Sequence, residues 1–236
     1  MKAVVLAGGK GTRLSPYTSV FPKPLLPLGD MLILEIMIYQ MRKAGIANIT
    51  LTVGHLAHLI STYFNSGERF GVKISYSHEE IPLGTSGPLS LIDDLDDTFL
   101  VANGDILSDI SLQDLINSHR QSGAVATIAM YKREVKIDMG VIKLNGNNEV
   151  IGYLEKPDFI YPVSMGIYMF EPKVLEYIPY NQYFDFPDLV LKLIENEELV
   201  VGYPFSGYWR DLGRPGDYEE AAVDFSTMRE RFLPED

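Results

Sequence analysis

The chain has 236 residues, a formal net charge of −12, 46% hydrophobic and 22% charged residues, and no cysteine. That length suits one large domain or two small ones with a sizeable core, and the composition excludes a disordered chain. The acidity, with Lys and Arg scattered and no basic run, excludes nucleic acid and anionic membrane as general partners, and the missing cysteine excludes disulfides, zinc–thiolate sites and a thiol nucleophile.

Residues 2–7 (KAVVLA) read as a short buried strand that stops at Gly8 and Gly9. The run is too short for a signal-peptide core. No stretch approaches the roughly 18 apolar residues of a membrane span, so the expectation is a cytoplasmic protein. Residues 8–14 (GGKGTRL) are a loop. Residues 21–30 (FPKPLLPLGD) hold three prolines, which predict extended, stiff backbone. Residues 31–44 carry helical periodicity, with Asp30 placed to cap the start and Gly45 to end it. A strand (48–53), a helix (56–64) and a strand (73–77) follow. Alternating strands and helices predict an α/β fold with a parallel sheet covered on both faces.

Residues 98–102 (TFLVA) form another apolar strand, running into Asn103-Gly104-Asp105. A helix over 112–121 and a strand over 124–131 come next. From Gly140 short strands dominate: 140–144, 150–155 and 164–170, separated by turn residues. A helix over 187–195, a strand over 199–204 and a closing helix from Arg214 onward complete the chain. No repeat or linker divides it. The reading is one domain, 1–236, in two halves that divide at about residue 110. Tyr177, Tyr180, Tyr183, Phe184 and Phe186 read as core; a subunit contact in a homo-oligomer is the alternative. The acidic run 93–97 (DDLDD) reads as a solvated turn. The four histidines are at 55, 58, 78 and 119 and form no ligand cluster.

The chemistry starts at the glycine loop. Glycines after a strand let backbone N–H groups approach a phosphate, although a tight turn would use them equally. The loop is neither GxGxxG nor GxxxxGK[ST], so those two motifs do not explain it. Arg13 offers a planar fork for phosphate oxygens. Lys23, stiffened between Pro22 and Pro24, offers a point charge. Asp105 lies where ligand groups gather in an open α/β sheet, at the end of a strand. Asp211 sits in a similar strand-then-glycine setting. One or two carboxylates plus substrate oxygens is the usual way to hold Mg²⁺, and a turn-forming role is the alternative for each.

The segment LAGGKGTRL…FPKPLLPLG, Leu6 to Gly29, resembles the signature of the sugar-1-phosphate nucleotidylyltransferase family. The resemblance implies a Rossmann-like (GT-A-like) open, mixed, mostly parallel sheet flanked by helices. The implied substrates are a nucleoside triphosphate and a sugar 1-phosphate, with Mg²⁺ as cofactor. Leu6, Ala7, Gly8, Gly9, Gly11 and Thr12 would hold the nucleotide, with Asn103 and Gly104 nearby. Arg13, Lys23 and Asp105 would be catalytic. Asn103-Gly104-Asp105 and Trp209-Arg210-Asp211-Leu212-Gly213 resemble the two metal motifs, making Asp105 and Asp211 the ligands.

On the sugar side, Glu155-Lys156-Pro157 resembles the sugar-phosphate motif, and Gly140 the glycine that approaches the sugar. Ser164-Met165-Gly166-Ile167-Tyr168 fits a segment usually written N-A-G-I-Y, with Ser164 in place of Asn and Met139 in place of the usual Tyr. Residues 78–89 (HEEIPLGTSGPL) resemble the base-side segment of mannose-1-phosphate guanylyltransferases. This points to Glu79, with Gly84 and Thr85, and favours GTP over UTP, CTP and dTTP. The chain stops short of the C-terminal β-helix that many such enzymes carry, and so looks like the family's short members. A catalytically silent nucleotide-sugar-binding subunit is the reading from another class.

Overall fold

The computed structural model describes residues 1–15 and 17–233. In chain order its elements are β1 (Lys2–Leu6), β2 (Pro27–Leu28), β3 (Met31–Leu32), α1 (Ile33–Lys43), β4 (Asn48–Val53), α2 (Ala57–Phe64), β5 (Lys73–His78), β6 (Phe99–Asn103), β7 (Ile106–Ser108) and α3 (Leu112–Ser122). There follow β8 (Ala126–Lys136), β9 (Val141–Leu144), β10 (Val150–Leu154), β11 (Asp158–Phe170), α4 (Phe186–Glu195), β12 (Val200–Phe205), β13 (Trp209–Asp211), α5 (Pro215–Thr227) and α6 (Arg229–Phe232). The expected closing helix is thus two helices, and residues 234–236 lie outside the described residues.

Seven strands make one sheet in the order β12-β8-β11-β6-β1-β4-β5. β1 pairs in parallel with β4 and β6, β4 with β5, and β8 with β12. β11 runs antiparallel between β6 and β8. The sheet is therefore mixed and mostly parallel, as expected. Side-chain alternation divides its core. Ala3 and Val5 face a cluster with Leu34, Ile38, Leu51 and Phe64. Val4 faces the other way, onto Val101, Phe170, Phe186 and Leu189. A third cluster, including Leu14, Leu28, Ile36, Leu212 and Phe225, fastens the C-terminal helices beneath the loop segment.

Three local readings change. The helix expected from residue 31 begins at Ile33, because Met31–Leu32 pairs with Pro27–Leu28 as a short hairpin. Leu32 takes the capping position, and the Glu35 carboxylate accepts from its N–H at 3.4 Å; Asp30 instead pairs with Arg229. The proline segment is not extended throughout: Lys23–Leu25 is a single 3₁₀ turn, closed by Leu25 N–H donating to the Pro22 carbonyl at 2.9 Å. Of the late aromatics, Phe186 is core, but Tyr180 and Tyr183 are exposed. The 93–97 run is a turn as read, with Asp94 paired to Lys2.

His119, on α3, is 1% exposed. Its ring nitrogens lie 2.7 Å from the Thr127 hydroxyl and 3.1 Å from Glu171 Oε1. Burial is the largest influence and holds its pKa below the ordinary value, although Glu171 works the other way. A lowered histidine pKa means that protonation favours the unfolded chain. The contribution is complete above the ordinary pKa of about 6.5 and is lost as pH falls below it. Urea midpoints measured across that window should fall more steeply for the wild type than for His119→Gln.

Candidate functional site

The parallel strands β1, β4 and β6 end together, and a glycine follows each within two residues: Gly8, Gly54 and Gly104. Gly104 N–H donates to the Leu6 carbonyl at 2.9 Å, which ties the end of β6 under the start of the glycine loop. A β-carbon on Gly104 would stand 2.9 Å from that same oxygen, so no other residue fits this approach. Gly11 adopts φ +62°, and a side chain there would meet Thr18, whose hydroxyl donates to the Gly11 carbonyl at 2.8 Å. The 3₁₀ turn Thr12–Leu14 starts directly after it. Its arginine guanidinium carbon lies 3.4 Å from the place a Gly213 β-carbon would take, so Arg13 reaches the end of β13.

β13 is brought here by pairing with β7, which sets Asp211 opposite Ile106. Leu212 N–H donates to the Asp105 carbonyl at 3.0 Å. Arg210, the alternate residue on the strand, ties it to α5 through Glu220 at 2.6 Å and Asp224 at 3.4 Å. The two aspartates consequently share one ammonium: Lys23 Nζ stands 2.5 Å from Asp105 Oδ2 and 3.6 Å from Asp211 Oδ1. Lys23 itself is only 6% exposed. The 3₁₀ turn around Pro24 buries the lysine stem and leaves its charged end between the carboxylates. The Asp211 carboxyl is held above the ordinary range, by burial first and the Asp105 charge second, against the opposing pull of Lys23 and Arg13. Two carboxylates that repel one another favour a cation between them.

A cavity of about 230 Å³ opens over this group. Of the sequence-predicted residues it brings together Leu6, Ala7, Gly9, Gly11, Thr12, Arg13, Lys23 and Asp105, and it adds Pro24 and Gly213. Both additions lie inside the matched motifs, in the PKP run and after Asp211, but neither has a side chain that titrates or donates. A larger cavity, about 1040 Å³, lies elsewhere, between α1, the 109–113 turn and α6, and none of the predicted site residues lines it.

Glu79 adjoins the loop. Its Oε1 lies 2.6 Å from where a Gly8 β-carbon would be, and its Oε2 accepts from Leu83 N–H at 3.2 Å. Burial raises its pKa, with the Leu83 N–H acting in the opposite direction. Gly84 and Thr85 have another duty. Gly84 has φ +79° and no room for a β-carbon beside Phe184 and Asp185. The Thr85 N–H and hydroxyl both donate to Asp185, and the hydroxyl accepts from Phe186 N–H at 2.8 Å. Together they dock the start of α4.

The sugar-side residues divide. Ser164 begins an irregularity in β11, its hydroxyl donating to Tyr168 at 2.9 Å. Two residues on, Gly166 has φ +73°, and a β-carbon there would stand 2.5 Å from the Asn103 amide nitrogen. This segment thus touches the Asn103-Gly104-Asp105 turn. Trp209 reinforces the contact: its indole N–H donates to the Met165 carbonyl at 3.0 Å, and its ring packs on Tyr131 at 5.4 Å. Gly140, Glu155 and Lys156 lie outside the 230 Å³ cavity, on the segment that carries β9 and β10, with Glu155 and Lys156 exposed. Gly140 is constrained by its neighbour: its β-carbon position falls on the Tyr153 hydroxyl.

The family model for nucleotidyl transferase matches residues 2–227, nearly the whole chain. This chain belongs to the nucleotidyl transferase family. Its relatives include a UTP–glucose-1-phosphate uridylyltransferase of Synechocystis, 37% identical, aligned over 94% of this chain and 62% of its own length. A mannose-1-phosphate guanylyltransferase catalytic subunit beta of Danio rerio is 33% identical over 92% of this chain and 62% of its own. The chain therefore spans just over three-fifths of the curated relatives it matches. Among solved structures, a putative glucose-1-phosphate thymidylyltransferase from Bacillus anthracis in complex with a sucrose superimposes with TM-score 0.79 at 24% identity, covering both chains fully. HddC from Yersinia pseudotuberculosis gives TM-score 0.72 at 25% identity, covering 95% of this chain and 99% of its own. The nucleotidyl transferase fold is thus common to proteins named for different bases. No helix among the described residues is long and apolar enough to cross a membrane.

Proposed function

We propose that this nucleotidyl transferase moves a nucleoside monophosphate from a triphosphate to a sugar 1-phosphate and releases pyrophosphate. The observation that carries the reading is the buried Lys23 ammonium between Asp105 and Asp211, at the mouth of the glycine loop. A phosphate oxygen of the sugar phosphate attacks the α-phosphorus in line. One P–O bond forms, the bond to the β-phosphate oxygen breaks, and no proton need move because the nucleophile is already an anion. Such a reaction asks for positioning and for neutralisation of growing charge. The loop N–H groups, Arg13 and Lys23 supply both at the triphosphate. We assign Lys156 to the sugar phosphate, Glu155 to the sugar hydroxyls, and Gly140 and Ser164 to the approach of the sugar.

Asp105 and Asp211 fit Mg²⁺. They are a mutually repelling carboxylate pair, and no third His, Cys, Asp or Glu joins a ligand group among the described residues, which leaves positions for phosphate oxygens. When bound, the ion would withdraw charge from the phosphates it touches.

We favour GTP. One Glu79 oxygen is committed to Leu83, and the other faces the loop at Gly8. A carboxylate accepts from guanine N1–H and N2–H₂, a paired donor edge that uracil and thymine lack. The Synechocystis relative supports UTP as the second reading. Glu79→Gln should reduce kcat/KM for GTP by about 10- to 100-fold, a charged hydrogen bond being worth roughly 1.5–3 kcal/mol, and should leave UTP turnover nearly unchanged. A matrix of four triphosphates against hexose, amino-sugar and heptose 1-phosphates, read by pyrophosphate release, tests the whole assignment. Silence in every cell refutes the transferase reading and favours a nucleotide-sugar-binding subunit.

A further inference from the structure

The segment that carries Glu79 is held by residues 183–186, which lead into α4. Leu83 is the link. Its N–H donates to Glu79 Oε2 at 3.2 Å, and its carbonyl accepts from Phe184 N–H at 2.9 Å. The Phe184 carbonyl in turn accepts from the Ser86 N–H at 3.0 Å, the Gly87 N–H at 2.9 Å and the Ser86 hydroxyl at 3.0 Å. Leu83 and Ser86 are both fully buried. The Glu79 carboxylate is therefore tied to Phe184 through a single residue.

Asp185 completes this set, and its carboxylate is turned away from its own helix. It stands at the capping position of α4 with extended backbone, yet its side chain caps none of that helix's N–H groups. An aspartate in that position ordinarily accepts from the second or third helical N–H. Here Oδ1 accepts from the Thr85 N–H at 2.9 Å and the Thr85 hydroxyl at 3.0 Å, and the Tyr183 hydroxyl donates to Oδ2 at 2.5 Å. The Thr85 hydroxyl replaces part of the missing cap by accepting from Phe186 N–H at 2.8 Å. Burial pushes the Asp185 carboxyl up, but the bonds from Tyr183 and Thr85 outweigh it and hold the group below the ordinary carboxylate range. It is thus an ionised acceptor at neutral pH, and charge-assisted hydrogen bonds are the strong kind. The approach is close: a β-carbon on Gly84 would stand 2.8 Å from Asp185 Oδ1.

Helix α4 alone would be served by a carboxylate turned onto its own first turn. The observed orientation serves the 79–87 segment instead. We infer that Asp185 is a positioning residue for triphosphate binding: it fixes Gly84 and Thr85, and with Phe184 it sets Leu83, which aims the Glu79 carboxylate. The inference rests on the assignment of that segment, and of Glu79 within it, to the base.

Ser and Asn are both favoured capping residues, so neither substitution should cost α4 its start, but only Asn has the reach of Asp. Asp185→Ser should raise KM for the triphosphate used best, and its Kd by calorimetry, about tenfold, the scale of one or two lost hydrogen bonds. The kcat and the KM for the sugar 1-phosphate should stay within about twofold, the pattern of lost ground-state binding. Asp185→Asn should return KM and Kd to within about threefold of wild type, since an acceptor still faces Thr85. Amide hydrogen exchange over residues 79–87 should be faster in Asp185→Ser and near wild type in Asp185→Asn, with α4 equally protected in both. Glu79→Gln without effect on the preference among triphosphates, beside a raised Kd in Asp185→Ser, refutes the Glu79 assignment and leaves the role of Asp185 standing. A wild-type KM and Kd in Asp185→Ser overturn the inference, whatever the exchange shows. So does an equal loss in both variants, or one shared by kcat and both KM values, which would make Asp185 a support of α4 alone.

Discussion

Lys23→Ala is expected to slow pyrophosphate release by about a hundredfold or more, the usual cost of removing one preorganised group that meets charge growing in a transition state. The structure makes this loss larger than that of a surface cation. Lys23 is 6% exposed, its backbone is set by the 3₁₀ turn, and its ammonium bridges the two aspartates at 2.5 and 3.6 Å. Deleting it removes a charge from the proposed triphosphate site. It also leaves Asp105 and Asp211 facing one another without a counter-ion, so the variant should melt at a lower temperature than wild type in metal-free buffer. Turnover within about threefold of wild type would refute the assignment, since no preorganised electrostatic group of this kind is worth so little.

Asp211→Asn should separate activity from stability. Turnover should fall about a hundredfold or more, and the Mg²⁺ concentration for half-maximal rate should rise, because one carboxylate of the pair is gone. Stability should move the other way. The Asp211 carboxyl is held above its ordinary pKa by burial and by Asp105. For such a group the favourable contribution is present in acid and is lost as pH rises through the raised value. At neutral pH the ionised side chain therefore opposes folding, and its neutral isostere should raise the melting temperature of the metal-free protein. A variant that is both inactive and less stable would mean that Asp211 is held for structure alone. The pair Lys23→Ala and Asp211→Asn should couple, because the two side chains share one electrostatic site.

Much of this site was legible because its parts are local in sequence. The apolar run before Gly8 could only be a strand end, and glycines that admit a close backbone approach leave a trace. Asp105 and Asp211 were each readable for the same reason, lying close to a glycine at the end of a short apolar or aromatic stretch. Their meeting was not readable. It depends on β7 and β13, three-residue strands too short to show a period, paired across more than a hundred residues. The cap at Asp30 failed on similar grounds: local rules placed it well, but a two-residue hairpin claimed Met31 and Leu32, and Arg229 claimed the carboxylate. Thr85 looked like a ligand group because its motif suggested one, and only the packing of α4 reveals where its hydrogen bonds go. The run of β8 on to Lys136 was not legible for another reason: residues 132–136 hold a single apolar side chain, because a solvated ribbon imposes no apolar period.

Trp209 is the only tryptophan in the chain. Excited at the red edge, where tyrosines are dark, the protein emits from a single place. That place is the seam where the strand bearing Asp211 is stitched to Met165, against the ring of Tyr131. A rearrangement that loosens or tightens this seam is expected to alter the hydrogen bond of the emitting ring. Titration with either proposed substrate alone is expected to change this single emission, and it can be read without a label.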